Sequence, residues 1–133
     1  MHPIKELTDS YSRKLATIDR DREFALVVVE NLHPSEARIG AVARLAIDQG
    51  GREAEFAIIV GHELTRMGLG KHLMKKLVEW ARKKRLKAIY GLVLHENHAM
   101  LKLAKSLGFE RYYNFDDNEV ALVRLDLTKA SNP

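Results

Sequence analysis

The chain has 133 residues, of which 46% are hydrophobic and 30% charged, which indicates one globular domain and excludes a disordered or collagen-like chain. The absence of cysteine excludes a disulfide framework, a thiolate nucleophile and a cysteine-based zinc site. Lysine and arginine number 22 against 18 acids, so the net charge of +4 favours an anionic partner, such as a phosphate-bearing cofactor, an acidic protein or a nucleic acid.

Helical spacing marks the beginning of the chain. Apolar residues recur at this spacing from Ile4 to Ile18, which predicts an opening helix after Pro3. Residues 24–30 then form an apolar, β-branched segment that is typical of a strand. From 39 to 47 the pattern alternates, and the apolar face of this second strand comprises Ile39, Ala41, Ala43, Leu45 and Ile47. A turn at 48–51 leads into a returning strand at 53–60, so these two strands form a hairpin.

The second half of the chain changes rhythm. Residues 69–85 have the apolar stripe of a long amphipathic helix, and 88–94 are a buried-type strand. A shorter helix follows at 97–106, and the segments 111–115 and 120–127 form a closing hairpin. The order helix-β-β-β-α-β-α-β-β predicts a mixed α/β sheet with helices packed on it.

No apolar run approaches the roughly 20 residues of a membrane span. The N-terminus also lacks the hydrophobic stretch of a signal peptide. We therefore expect a single domain over 1–128 and a flexible tail at 129–133, located in the cytoplasm and without membrane contact.

A glycine-containing loop joins the strand at 53–60 to the long helix. Gly68 and Gly70 remove side chains where backbone N–H groups would face a ligand, and the helix adds the positive end of its dipole. This arrangement suits a phosphate or pyrophosphate group. His72 after Lys71 excludes a Walker A loop, and Leu73 excludes the dinucleotide motif. On these residues alone, a tight turn without a ligand stays open.

Two motifs with the right separation give residues 24–125 a family resemblance. Residues 65–70, Thr-Arg-Met-Gly-Leu-Gly, resemble the Gln/Arg-x-x-Gly-x-Gly/Ala cofactor loop of the GNAT N-acetyltransferases, with threonine where Gln or Arg is usual. Residues 97–109, Asn-x-x-Met-x-x-Leu-Ala-x-x-x-Gly-Phe, resemble the family's second signature. The resemblance implies an acyl-CoA N-acyltransferase fold and an enzyme that transfers the acetyl group of acetyl-CoA to a primary amine.

A subgroup of this family is similar over four short stretches. Residues 18–23, 54–57, 68–70 and 96–100 resemble the acetyltransferase domain of the bacterial protein lysine acetyltransferases that modify acetyl-CoA synthetase. This resemblance implies a protein lysine as the acceptor. Those enzymes usually carry a large additional domain for which this chain has no room, so we interpret it as a stand-alone relative or an excised domain.

The resemblance also implies roles for individual residues. The amine attacks acetyl-CoA directly after a general base removes its proton, and the matching glutamate is Glu55, with Glu53 as the fallback on the same strand face. The alternative interpretation is that both glutamates are solvent-exposed strand residues without a catalytic role. The residues that the resemblance assigns to acetyl-CoA are Ile58, Ile59 and Val60 along the pantetheine arm, Arg66, Met67, Gly68, Leu69, Gly70 and Lys71 around the pyrophosphate, and Asn97. For Asn97, a helix N-cap is an equal alternative.

Several residues fit other interpretations. Ala104 stands where many members have a tyrosine that protonates the leaving thiolate, so no general acid is assigned. Ala104 and Thr65 fit a catalytically weak CoA-binding sensory module, and a small-molecule amine acetyltransferase is a further alternative. The net charge and the basic run at 82–87 are the features that fit nucleic acid, and we interpret the run as a solvated helix end. His95 and His98 lack a third nearby ligand, so no metal site is predicted.

Overall fold

The computed structural model describes residues 5–8, 12–33, 36–61, 68–113 and 119–128. In chain order the elements are β1 (Lys5–Thr8), β2 (Ser12–Asp19), β3 (Glu23–His33), β4 (Glu36–Ile47), β5 (Glu53–Val60), α1 (Leu69–Lys83), β6 (Ala88–Leu94), α2 (His98–Ser106), β7 (Glu110–Tyr113) and β8 (Val120–Asp126). The strands form one eight-stranded sheet in the order β1-β2-β3-β4-β5-β6-β8-β7. Only the β5–β6 pair is parallel among these neighbours. The predicted mixed α/β sheet is confirmed.

The predicted opening helix is wrong, because the described residues of that segment form β1 and β2. Strand β2 pairs with β3 along its whole length. Leu15 is buried, whereas Ile18, which helical spacing would place on the same side, is 42% exposed. Residues three apart point to opposite faces of a strand. Pairing with β3 therefore outweighs a weak helical periodicity.

The core lies between α1 and one face of the sheet. Leu73, Met74 and Leu77 of α1 are fully buried against strand side chains such as Leu45 and Ile89. Helix α2 contacts both α1 and β7. We call the sheet face packed against α1 the helix face and the opposite one the open face.

A register shift changes the predicted face of Ile39. The β3–β4 ladder pairs Val28 with Ala41 but Val29 with Ile39, so Gly40 is an extra residue between two rungs. Ile39 is consequently 64% exposed instead of sharing the buried face of Ala41.

A split in the sheet begins halfway along β5 and β6. These two strands pair over only three rungs, which end at Glu55 and Tyr90. Strand β5 nevertheless continues to Val60, paired with β4, and β6 continues to Leu94, paired with β8. The two strands therefore leave facing backbone edges that have no ladder partner across the split.

Gly91 is the first residue of β6 beyond the last rung that this strand shares with β5. A Cβ atom added there would lie 2.5 Å from Cε2 of Phe56. The Phe56 ring packs edge-to-face on Phe109, with 5.6 Å between centroids. We expect Gly91→Ala to lower the free energy of unfolding by about 1–3 kcal/mol, because the Phe56 ring must move within a packed core.

Chemical denaturation measures this change. The matched control is Gly50→Ala, because a Cβ atom at Gly50 would meet only Asp48, at 3.5 Å. The control should stay within about 0.5 kcal/mol of the parent. An unchanged denaturation midpoint for Gly91→Ala would contradict the packing described here.

Candidate functional site

A cleft of about 260 Å³ lies where the end of β5 meets the beginnings of α1 and α2. Its lining residues are Ile58, Val60, Gly68, Gly70, Lys71, Asn97, Ala99, Met100 and Leu103. Six of these were predicted from the sequence: Ile58, Val60, Gly68, Gly70, Lys71 and Asn97. Leu103 and Met100 of α2 were not, although their spacing on the apolar stripe of the helix placed them on its inner side.

The beginning of α1 leaves backbone donors at the cleft. Gly68 is the N-cap residue and has a φ of 68°, a left-handed conformation that glycine adopts without strain. No side chain caps this end, and the first turn contains no acidic residue. The first helical bond runs from the His72 N–H to the Gly68 carbonyl, at 3.1 Å. The backbone N–H groups of Leu69, Gly70 and Lys71 therefore have no carbonyl partner within the helix. Together with the positive end of the helix and the Lys71 side chain, they make this end of the cleft suitable for an anion.

The beginning of α1 lies close to the second half of α2. A Cβ atom on Gly70 would lie 3.4 Å from Cδ2 of Leu103. The absence of a side chain at Gly70 thus keeps the cleft open between α1 and α2.

Asn97 is the N-cap residue of α2. Its Oδ1 accepts a hydrogen bond from the Met100 backbone N–H at 3.1 Å. The capping role is thus present in the structure, and Asn97 also lines the cleft. One residue can cap the helix through its oxygen and donate through its nitrogen.

Glu55 lies outside the cleft lining, on the open face. Its neighbours Ala54 and Phe56 are buried on the helix face, so alternation places the exposed Glu55 side chain on the opposite side. It belongs to the last rung before the split. Glu53, on the same face, forms an ion pair with Arg124 at 3.2 Å. Glu55 has no ion-pair partner within the described ranges.

Tyr90 is the residue of this region that the sequence analysis missed. It is the cross-strand partner of Glu55 and is only partly exposed. Burial raises the pKa of Tyr90 above its usual 10.0, and the charges of Asp48, Glu55 and Glu53 and a hydrogen bond with Asp48 raise it further. The phenol therefore stays protonated at neutral pH. The available signal was a single polar side chain within the apolar strand at 88–94.

The remaining predicted residues lie in several places. Ile59 is 73% exposed on the open face, because strand alternation separates it from Ile58 and Val60. Leu69 is buried in the core at the beginning of α1. Arg66 and Met67 lie outside the described residues, as does the tail at 129–133. Ala104 is buried and offers no polar atom beyond its backbone.

The other features considered from the sequence are accounted for by packing or exposure. Trp80 stacks on Phe24, with 5.3 Å between ring centroids, and donates a hydrogen bond to Asp19. The basic run at 82–87 is exposed apart from Leu86. Within the described ranges, neither helix has the length and apolar character needed to span a bilayer.

Comparisons with known proteins give consistent results. The family model for the acetyltransferase (GNAT) family matches residues 2–109. An acetyltransferase of Pseudomonas aeruginosa is 27% identical over 124 residues, which is 93% of this chain but 66% of that protein, just under two thirds.

Solved structures share the fold. The GNAT domain of the S. lividans PAT protein has a TM-score of 0.65 at 23% identity, covering 80% of this chain and 61% of that one. The Campylobacter jejuni N-acetyltransferase PseH, in complex with acetyl coenzyme A, has a TM-score of 0.62 at 20% identity, covering 82% and 71% of the two chains.

Proposed function

Because the chain belongs to the GNAT family of acetyltransferases, whose acetyl donor is acetyl-CoA, we propose that it transfers this acetyl group to a primary amine, the side chain of a protein lysine. The observation that carries the proposal is the position of the cleft beside a split in the sheet, with Glu55 on the far side of that split. Donor and acceptor would therefore approach the split from opposite faces.

The cleft residues fit the donor by their chemistry. The uncapped N–H groups of α1, the positive end of this helix and Lys71 suit a pyrophosphate. Ile58 and Val60 line the cleft with apolar side chains, and the backbone of β5 beyond Glu55 has an edge without a ladder partner towards β6. Such an edge suits the amide groups of a pantetheine arm, and an N–H on it would stabilise the negative charge that develops on the reacting carbonyl oxygen.

Glu55 is the proposed general base. A lysine amine has a pKa of about 10.4 and must lose a proton before it can attack. Glu53 is held by Arg124 at 3.2 Å, whereas Glu55 carries no ion pair within the described ranges and lies next to the split. Glu55 therefore takes the proton from the amine, directly or through a water, and Glu53 holds Arg124.

The leaving group needs no side-chain acid in this proposal. Ala104 stands at the position of the family's tyrosine and is buried without a polar side chain. Tyr112 and Tyr113 belong to β7, which is separated from β6 by β8. A thiol has a pKa of about 8.5, so the CoA thiolate leaves without obligatory protonation by the protein.

A protein acceptor is favoured by the shape of the open face. Ile59 and Leu92, which flank the split, are 73% and 55% exposed, so the described part of this face is an open surface rather than a closed pocket. A small-molecule acceptor would be expected to bind in a closed pocket. The four stretches similar to the protein lysine acetyltransferases support the same acceptor class. The single-domain organisation and the cytoplasmic location stay predictions.

Isothermal titration with acetyl-CoA is the first test. We expect micromolar binding of acetyl-CoA and desulfo-CoA and none of ATP. Incubation with acetyl-CoA and a lysine-containing peptide should then yield the acetylated peptide by mass spectrometry. Binding without transfer to peptides or small amines would instead indicate the CoA-binding sensory module. Failure to bind either CoA compound would refute the proposed donor site.

Asn97 provides a test that separates the capping role from donor binding. Asn97→Ala removes the cap and should lower the free energy of unfolding by about 1 kcal/mol. Asn97→Asp keeps an N-cap oxygen but places a negative charge at the cleft, so it should weaken acetyl-CoA binding at unchanged stability. Denaturation and titration measure the two effects. Parental affinity in Asn97→Asp would leave Asn97 a cap alone.

A further inference from the structure

Tyr90 and Glu55 lie side by side at the mouth of the split. They are cross-strand partners in the last β5–β6 rung. On Tyr90's own strand, Ile89 is buried on the helix face, so alternation places the Tyr90 ring on the open face with Glu55. An acceptor that meets Glu55 on this face therefore lies beside Tyr90.

We propose that the Tyr90 ring binds the ammonium group of the acceptor beside Glu55 and so selects cationic primary amines. This inference rests on the proposed function and deepens it. Glu55 and Tyr90 lie on neighbouring strands about 4.8 Å apart, with their side chains on the same face. An ammonium that donates a hydrogen bond to the Glu55 carboxylate can therefore also meet the Tyr90 ring within the roughly 6 Å at which cation–π attraction acts.

The charges around Tyr90 favour the same ligand. Besides burial, the charges of Asp48, Glu55 and Glu53 all raise the pKa of the Tyr90 phenol. The same negative charges around the ring favour an incoming ammonium. Arg124, the partner of Tyr90 on β8, is engaged by Glu53 at 3.2 Å. The carboxylate of Glu55 is thus left to meet an incoming cation.

The order of events balances in protons. The amine arrives as an ammonium, because its pKa of about 10.4 lies above neutral pH. It is held between the Tyr90 ring and the Glu55 carboxylate, transfers one proton to that carboxylate, and attacks as the neutral amine. The new N–C bond forms as the C–S bond of the thioester breaks, the sulfur leaves as the CoA thiolate, and the nitrogen gives its second proton to solvent. Loss of the positive charge also weakens the attraction to the ring, which frees the nitrogen for the thioester carbonyl.

Two variants at Tyr90 separate the ring from its hydroxyl. Tyr90→Leu removes the ring and should raise the KM for Nα-acetyl-lysine amide by about tenfold, while the Kd for acetyl-CoA stays at the parental value. Tyr90→Phe keeps the ring and should restore most of the affinity. The matched control is Tyr112→Leu, since Tyr112 is another open-face tyrosine, 45% exposed on β7. Its KM should equal that of the parent.

Direct binding removes the dependence on turnover. The probe Nα-acetyl-lysine amide is titrated into the complex with desulfo-CoA, beside Nα-acetyl-norleucine amide, which keeps the stem without the charge. We expect Tyr90→Leu to weaken the first probe and leave the second unchanged. Equal affinity for the lysine probe in parent and Tyr90→Leu, or equal losses in Tyr90→Phe and Tyr90→Leu, would overturn the inference alone. A parent protein that binds no CoA compound would overturn the proposed function as well.

Discussion

Replacing Gly70 by aspartate should abolish measurable acetyl-CoA binding while the domain stays folded. Gly70 lies in the first turn of α1 and lines the cleft, where a Cβ atom would already lie 3.4 Å from Leu103. The aspartate side chain would add bulk and a negative charge at the proposed pyrophosphate site. Two unit charges about 4 Å apart repel by roughly 4 kcal/mol at an effective dielectric constant of about 20, close to a 10³-fold loss of affinity.

The effect of Gly70→Asp on binding can be measured separately from its effect on folding. An acidic residue in the first turn complements the helix dipole, so Gly70→Asp should not unfold α1. Gly70→Asn has nearly the same shape without the charge, and it should lose less affinity than the aspartate variant. Titration with acetyl-CoA and a thermal melt of each variant give both quantities. Near-parental affinity in Gly70→Asp would remove the pyrophosphate from this loop.

The cleft could be predicted from the sequence because its parts are local. The end of β5, the glycines at 68 and 70 and the beginning of α1 are contiguous in the chain, and Asn97 opens the next helix. Residue types within a dozen positions decide where a strand ends and a helix begins. For this reason six of the predicted residues meet in one cleft.

The structural features that could not be predicted from the sequence depend on pairing between distant segments of the chain. The opening segment has helical spacing, yet β2 forms because β3 offers a strand edge along its whole length. The rung of Glu55 and Tyr90 joins residues 35 positions apart (90 − 55 = 35), and the ion pair of Glu53 and Arg124 joins residues 71 apart. No local pattern specifies such contacts. The family resemblance had already favoured Glu55 over Glu53. The structure adds only that Glu53 is paired with Arg124, a contact that no local pattern indicates.

Replacing Glu55 by glutamine should lower kcat by about 10²-fold or more while the Kd for acetyl-CoA stays unchanged. Glutamine keeps the shape of the side chain but has no carboxylate to accept the amine proton. Binding should be preserved because Glu55 lies on the open face and does not line the cleft. Steady-state kinetics with a lysine peptide and titration with acetyl-CoA separate the two effects.

The pH dependence identifies the step that is lost. Without a base, only amines that are already neutral can react, and their fraction rises about tenfold per pH unit while the pH is below the amine pKa of about 10.4. The residual kcat/KM of Glu55→Gln should rise accordingly between about pH 7 and 9, and the difference from the parent should shrink. The matched control is Glu53→Gln, which removes the negative charge from the neighbouring open-face position of the same strand. This control should retain most of its turnover, because the glutamine amide oxygen can still accept a hydrogen bond from Arg124 and keep that side chain away from Glu55. If Glu53→Gln instead showed the larger loss and the same pH dependence, the base would be Glu53. The acceptor amine would then bind two residues nearer the beginning of β5.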